Sequence, residues 1–228
     1  MKPRAAILTA FACLGMCLGA APLQAQDSST YKPPSRGAPA SRVGGGSRGL
    51  GGARPAVQVL APDHTGLTTV EQPVLYWFID RPAATRVEIT VIDDKSVEPL
   101  LERFVDAPRE AGVQRLDLAG YGVRLAPNVE YRWHVGVVAD PTRRSNDIVA
   151  SGTIRRVAAP AALAQKIAQT DAPARYRVYA EEGLWYDALA ALSARIEVQP
   201  GDREARRLRA ALLREVGLTA AAGYEDGR

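Results

Sequence analysis

The sequence predicts a mixed α+β protein in which an antiparallel β-sandwich is followed by a short helical domain. Two patterns predict this order. Residues 56–157 contain short runs of alternating apolar and polar residues separated by turn residues, which is typical of half-buried strands. After Pro160 the apolar residues recur every three or four positions, which is typical of helices that pack on one face.

The alternation predicts seven strands, over residues 57–60, 74–79, 86–93, 99–105, 113–118, 131–138 and 148–157. The third is the clearest, because Val87, Ile89 and Val91 share one face and Glu88 and Thr90 occupy the other. Short strands separated by turns favour an antiparallel sandwich.

The entry to the sixth strand points to a type of sandwich. Residues 125–133 (LAPNVEYRW) resemble the turn and strand of fibronectin type III-like domains, where a tyrosine ties down a corner and a tryptophan fills the core. Tyr131 and Trp133 would take these two places. The predicted sandwich is therefore fibronectin III/immunoglobulin-like.

Four helices are predicted after Pro160. The first covers residues 161–169, the second runs from a cap at Asp171 to about Glu182, and the last begins at a cap on Asp202. The third has one apolar face, made by Trp185, Ala188, Leu189, Leu192 and Ile196.

The second and third helices are spaced like a single tetratricopeptide repeat. The matching positions are Tyr179, Gly183, Trp185, Ala188, Leu192 and Pro200. The match is partial, because Arg195 stands where the repeat usually has a small residue. One repeat cannot fold alone, so this hairpin must pack against a neighbouring helix or the sandwich.

The N-terminus has the plan of a secretory signal peptide. Lys2 and Arg4 precede an uncharged apolar run over residues 5–21, and Ala25 offers a cleavage site. We therefore expect export, most simply to a bacterial periplasm; the alternative is a retained membrane anchor. Both cysteines lie in this segment, so the mature core would be held without disulfides.

The sequence predicts five parts: a signal peptide over 1–25, a flexible Gly/Pro/Arg-rich linker over 26–55, the sandwich over 56–158, the helical hairpin domain over 159–218 and a disordered tail over 219–228. Residues 28–54 carry five basic residues and no acidic one. Beyond Arg54 the charge is slightly negative, which argues against a nucleic-acid partner. We expect no transmembrane span after cleavage.

Several motifs together resemble a bacterial family called domain of unknown function 928. They lie at residues 36–39 (RGAP), 42–49 (RVGGGSRG), 60–68 (LAPDHTGLT), 72–77 (QPVLYW), 140–147 (DPTRRSND) and 183–189 (GLWYDAL). The resemblance implies an exported bacterial protein. It brings no functional residues that could be carried over to this chain.

Two groups of arginines are candidates for binding. Arg36, Arg42 and Arg48 in the linker could hold an anion or a partner by folding on contact. Arg143 and Arg144 could clamp a carboxylate or phosphate, or could pair with neighbouring acids to shape their loop.

A histidine and a tyrosine are further candidates. Asp63 and His64 could form an acid–base pair, or they could cap a loop by bonding to local backbone. Tyr186 could face a groove while Trp185 enters the core. With two histidines in the chain, we expect no metal centre and no cofactor.

The predicted function is that of a non-catalytic binding or adaptor protein of the cell envelope. A groove between sandwich and helices, or the concave side of the hairpin, would receive a segment of another envelope protein. Two alternatives stay open: a hydrolase of an envelope polymer using Asp63, His64 or Asp93, and a module that binds an anionic glycan or lipid surface through the linker arginines. The ligand and the oligomeric state are left open by the sequence.

Overall fold

The computed structural model describes residues 31–34, 43–44, 54–93, 95–138, 140 and 142–228. The predicted signal peptide and most of the predicted linker, including Arg36, Arg42 and Arg48, lie outside these residues. Strands occupy the first part of the described chain and helices occupy the last part, as predicted.

The described residues form nine strands: β1 (Val43–Gly44), β2 (Val57–Val59), β3 (Gly66–Thr68), β4 (Val74–Ile79), β5 (Val87–Asp93), β6 (Leu101–Val105), β7 (Gly112–Asp117), β8 (Glu130–Val137) and β9 (Ile148–Arg156). They form two sheets with the orders β1-β2-β4-β7 and β3-β9-β8-β5-β6. All seven predicted strands are confirmed, and β1 and β3 are additional.

The prediction of a purely antiparallel arrangement is wrong at one edge. Strand β3 pairs in parallel with β9, with Gly66 opposite Ile154. The other pairings are antiparallel. Three residues are too few to show an alternating pattern, which is why the sequence did not predict β3.

The two sheets enclose one apolar core. In β5 the residues Val87, Ile89 and Val91 are fully buried, as the alternation predicts. In β8 the indole of Trp133 is fully buried, and two residues earlier the Tyr131 hydroxyl accepts the Ala126 N–H at 3.1 Å. This bond fixes the turn that leads into β8.

Five α-helices follow: α1 (Ala161–Gln169), α2 (Arg175–Glu181), α3 (Trp185–Val198), α4 (Arg203–Glu215) and α5 (Thr219–Asp226). Asp202 caps α4 through a 2.8 Å bond from the Ala205 N–H, which confirms that prediction. Asp171 does not cap α2 with its side chain; a short 3₁₀ turn over Ala172–Ala174 comes between them. Among the described residues, none of these helices has the length and apolar character needed to cross a bilayer.

Helix α5 corrects the predicted disordered tail over 219–228. Its small residues Ala221 and Ala222 are fully buried, and Glu225 is 2 % exposed. The Glu225 carboxylate binds the guanidinium groups of Arg209 at 2.7 Å and Arg206 at 3.2 Å. The sequence pattern misses α5 because its apolar face consists of alanines, which carry a weak hydrophobic signal.

Helix α5 also joins the helices to a sheet. The Tyr224 hydroxyl donates to the Ala111 carbonyl oxygen at 2.6 Å, and its ring lies 5.4 Å from that of Phe78 in β4. The C-terminal helix is therefore attached both to α4 and to the sheet that contains β4 and β7.

The predicted flexible linker needs a second correction. Strand β1 pairs with β2, and residues 31–34 lie against the helices, where Tyr31 is 7 % exposed. The described parts of this region are held by the folded chain.

We expect Glu225→Ala to lower the free energy of unfolding by about 3 kcal/mol, because two guanidinium groups, one of them buried, lose their counter-ion. Asp226→Ala is the matched control: it removes only an exposed pair with Arg214 and should cost about 0.5 kcal/mol or less. Urea denaturation measures both. Equal effects would contradict a structural role for α5.

Candidate functional site

The start of helix α3 is inserted between the two sheets and the other helices. Trp185, Tyr186 and Asp187 are consecutive, and each forms a hydrogen bond to a different part of the sheet region. The Trp185 indole N–H donates to the Leu60 carbonyl oxygen at 2.8 Å, immediately after β2. Residues from the motifs at 60–68 and 183–189 therefore meet at one place.

Tyr186 lies in the interior and is 1 % exposed. Its hydroxyl accepts the Trp133 indole N–H at 3.0 Å and donates to the Thr153 carbonyl oxygen at 2.9 Å. A Cβ on Gly66 would lie 2.6 Å from the tyrosine ring, so glycine permits this close approach. Tyr186 is therefore not available to a ligand in this structure, in contrast to the predicted groove position.

Asp187 is a buried carboxylate that receives three hydrogen bonds from the end of β3. The donors are the Thr68 hydroxyl at 2.5 Å, the Thr69 hydroxyl at 2.6 Å and the Thr69 N–H at 2.9 Å. Burial raises the pKa of the Asp187 carboxyl, and these bonds oppose that rise. The carboxylate thus anchors α3 to β3.

Residues 31–34 lie in a groove on the outside of this junction. The Tyr31 ring packs against Trp185 in a T-shaped arrangement, with ring centroids 5.1 Å apart, and stacks with His64, with centroids 5.8 Å apart. The Tyr31 hydroxyl is 2.8 Å from His64 Nε2, and His64 Nδ1 is 3.0 Å from the Asp63 carboxylate. Tyr31 is therefore held by side chains from both the sheet region and the helices.

The backbone of the segment is also bound. The Tyr31 N–H donates to the Glu215 carboxylate at 2.5 Å, and the Lys32 N–H donates to the Ala180 carbonyl oxygen at 3.0 Å. Gly183 has a φ of 74°, and a Cβ there would lie 2.8 Å from the Lys32 carbonyl oxygen. Glycine therefore serves both the turn between α2 and α3 and the close passage of the segment.

We call this surface the docking groove and define it by Asp63, His64, Ala180, Gly183, Trp185 and Glu215. Burial raises the pKa of the Glu215 carboxyl, and the Tyr31 N–H partly offsets this. Lys32 and Pro33 are exposed.

The chain Asp63–His64–Tyr31 has the order of an acid, a base and a hydroxyl, but its hydroxyl is not activated. Burial, and secondarily the nearby Asp63 charge, raise the pKa of the Tyr31 phenol above its usual value. A nucleophilic phenol requires a lowered pKa or an oxygen that a substrate can reach. Tyr31 has a raised pKa and is only 7 % exposed. The arrangement holds a side chain in place.

The predicted arginine pair in the loop before β9 is engaged in ion pairs. Arg144 pairs with Glu88 and, at 2.6 Å, with Asp147. Arg143 lies 3.8 Å from Asp140. Of the two interpretations of this loop, these contacts favour local ion pairs that shape the turn.

Asp93, a residue of the hydrolase hypothesis, closes a turn. Its carboxylate accepts the N–H groups of Lys95 and Ser96, both at 2.7 Å. Within the described part of the chain, no cluster of histidine, cysteine, aspartate and glutamate side chains is suited to a metal ion.

Sequence reasoning identified His64 but missed Tyr31, Asp187 and Glu215. One signal could have found Tyr31: it is the only aromatic residue between Phe11 and Tyr76, within a segment otherwise rich in glycine and proline. A large side chain in such a segment indicates a contact site.

We expect Tyr186→Phe to lower the free energy of unfolding by about 2 kcal/mol, because the buried Trp133 N–H and Thr153 carbonyl lose their shared partner. Tyr121→Phe is the matched control, since Tyr121 is 42 % exposed and should change stability by about 0.5 kcal/mol or less. Urea denaturation followed by tryptophan fluorescence measures both variants. A neutral Tyr186→Phe would contradict the assigned hydrogen bonds.

Asp187→Asn should show a pH-dependent difference from the wild type. Because the folded pKa of Asp187 is raised, its favourable contribution is complete below its ordinary pKa of 3.8 and is lost as the pH rises through the folded value. Asparagine does not titrate in this range. The free energy of unfolding of the variant, relative to the wild type, should therefore rise as the pH is raised above the ordinary pKa of 3.8. A pH-independent difference in denaturation experiments would refute this.

Comparison with known proteins identifies the family. The model of the family described as Domain of Unknown Function (DUF928) matches residues 43–225. No curated protein matches. A multi-domain immunophilin from Arabidopsis thaliana is similar at 8 % identity over 85 % of this chain and 97 % of that chain, but its TM-score of 0.17 supports no argument. Because the family model covers most of the chain, including both motifs that meet at the junction, the protein belongs to the Domain of Unknown Function (DUF928) family.

Proposed function

We propose that this protein is a non-catalytic binding protein of the bacterial cell envelope, and that its docking groove binds an extended segment of a protein partner. One observation carries the proposal: the groove holds residues 31–34 as a peptide ligand would be held. The segment contributes two backbone N–H groups and one inserted side chain.

These contacts follow the general logic of peptide recognition. Main-chain hydrogen bonds supply affinity for an extended backbone, and a pocket for one side chain supplies specificity. Glu215 and Ala180 accept the main-chain bonds, while Trp185 and His64 form the pocket. The groove is at the surface, because the Asp63 side chain is 69 % exposed.

Features of the two scaffolds support a more specific description of the fold. The Tyr131 bond to Ala126 and the buried Trp133 favour a fibronectin III/immunoglobulin-like sandwich. Fully buried Ala188 and the positive φ of Gly183 favour a tetratricopeptide-like hairpin of α2 and α3. Both scaffolds serve recognition in other proteins, which is an argument by analogy.

Arg195, the departure from the repeat pattern, has a structural role. Its guanidinium pairs with Asp202 at 3.0 Å and Glu204 at 3.1 Å, across the turn between α3 and α4. This pairing offers a reason for a long side chain where the repeat usually has a small one. The helical unit that begins with the α2–α3 hairpin would thus continue through α4 and α5.

The proposed localisation in the cell envelope follows from the signal-peptide pattern at the N-terminus. A charged start, an apolar run and Ala25 favour export with cleavage, which would leave residues 31–34 close to the mature N-terminus. The partner would then be another protein of the envelope.

The test uses the full chain with Tyr31→Ala, which removes the inserted side chain from the groove. A fluorescent peptide of residues 27–38 should bind this variant saturably in an anisotropy titration, and the same peptide with alanine for tyrosine should not. Absence of saturable binding by the tyrosine peptide would overturn the proposed function.

Two further substitutions in the Tyr31→Ala chain locate the binding. Glu215→Ala should weaken binding of the peptide about tenfold, because the peptide N–H loses a charged acceptor worth roughly 1.5 kcal/mol. Glu204→Ala, at the opposite end of α4, should leave the affinity unchanged. Equal affinities of these two variants would place the peptide elsewhere.

A further inference from the structure

We infer that residues 31–34 act as a built-in competitor that occupies the docking groove until an extended segment carrying Tyr-x-Pro displaces it. The inference rests on the proposed function and adds the class of partner and its regulation. It starts from the fact that the groove is occupied by the chain itself in this structure.

The groove defines what a partner must carry. A phenol ring packs against Trp185 in a T-shaped arrangement and stacks on His64, and its hydroxyl lies 2.8 Å from His64 Nε2. Phenylalanine would fill the same space and leave that nitrogen without its partner. The groove therefore selects tyrosine at the first position.

The two following positions impose weaker and different demands. The side chain of Lys32 is exposed, so the second position accepts varied residues. At this position the backbone of the segment passes close to Gly183, because a Cβ on Gly183 would be 2.8 Å from the Lys32 carbonyl oxygen. Prolines at 33 and 34 favour an extended backbone where the chain passes Gly183, which reduces the entropy lost on binding.

The segment is held less extensively than the junction beneath it. Its two backbone bonds end at the exposed rim residue Glu215 and at the C-terminal turn of α2, whereas Trp185, Tyr186 and Asp187 are buried. The segment can leave without breaking the bonds of those three residues to the sheets. Displacement withdraws the buried Tyr31 ring from the apolar core but leaves these junction bonds in place.

The family comparison separates the groove from its occupant. All six residues that define the docking groove lie within the matched residues 43–225, whereas residues 31–34 lie before them. The occupant is thus outside the region that the family model describes.

A segment that belongs to the same chain competes at an effective concentration on the order of 1 mM. A free peptide with the same sequence must exceed this concentration to enter the wild-type groove, whatever its intrinsic affinity. Removing the competitor should restore the intrinsic affinity. The wild type should therefore bind about tenfold or more weakly than the Tyr31→Ala chain.

The experiment titrates the tyrosine peptide of residues 27–38 into wild-type, Tyr31→Phe and Tyr31→Ala full-length chains. Affinity should rise in that order, because Tyr31→Phe keeps the ring and loses only the bond to His64. Tyr121→Phe, distant in sequence and exposed, should bind the peptide like the wild type.

The outcomes separate this inference from the proposed function. Equal peptide affinities for all three chains would overturn the inference that residues 31–34 compete, and would leave the proposed binding function standing. Failure of the peptide to bind any chain would overturn both. If Tyr31→Ala fails to fold, the ratio of the peptide affinities of Tyr31→Phe and the wild type tests the inference: a higher affinity of Tyr31→Phe supports the competitor, and equal affinities overturn it. Self-association of wild-type chains that Tyr31→Ala abolishes would show that a second copy supplies the segment, which would overturn competition within one chain.

Discussion

Three consecutive polar side chains at the start of α3 determine how the helices meet the sheets. Trp185, Tyr186 and Asp187 are buried, and each must find a hydrogen-bond partner away from water, since a buried polar group without one costs about 1–3 kcal/mol. Their partners are on different strands or strand ends, so a shift of α3 that improves one bond breaks another. The relative position of helices and sheets is therefore specified by these buried hydrogen bonds as well as by apolar contacts.

The docking groove depends on this constraint because its walls come from both sides of the junction. His64 follows the end of β2, whereas Gly183, Trp185 and Glu215 belong to the helical region. Trp185 contributes to both the junction and the groove, since its indole N–H is bonded to Leu60 and its ring packs against Tyr31. The same residue that fixes the interior junction therefore forms one wall of the surface groove.

The sequence predicts the elements whose side chains alternate or recur with a clear period, and it misses those decided by distant contacts. Strand β5 and helix α3 are predicted because each has one apolar face. Strand β3 is too short for a period, and the alanine face of α5 becomes visible only when its contacts with α4 and the sheet are known. Tyr31 belongs by composition to a linker, and its partners His64 and Glu215 lie 33 and 184 residues away. Tyr186 is predicted at a groove because it is off the apolar stripe of α3, but the start of this helix is surrounded on all sides.

A ligand that touches both sides of a junction favours the state in which the two sides are docked. A segment in the groove contacts His64 and Trp185 together, so its binding free energy is added to the stability of their arrangement. Residues 31–34 supply this contribution within one chain, at the effective concentration set by their tether. On the proposed exchange, an incoming partner would replace that contribution with its own, and the junction would stay docked. The groove would then change its occupant while the buried bonds of Tyr186 and Asp187 stay intact, so that binding would be separated from folding even though the two share Trp185.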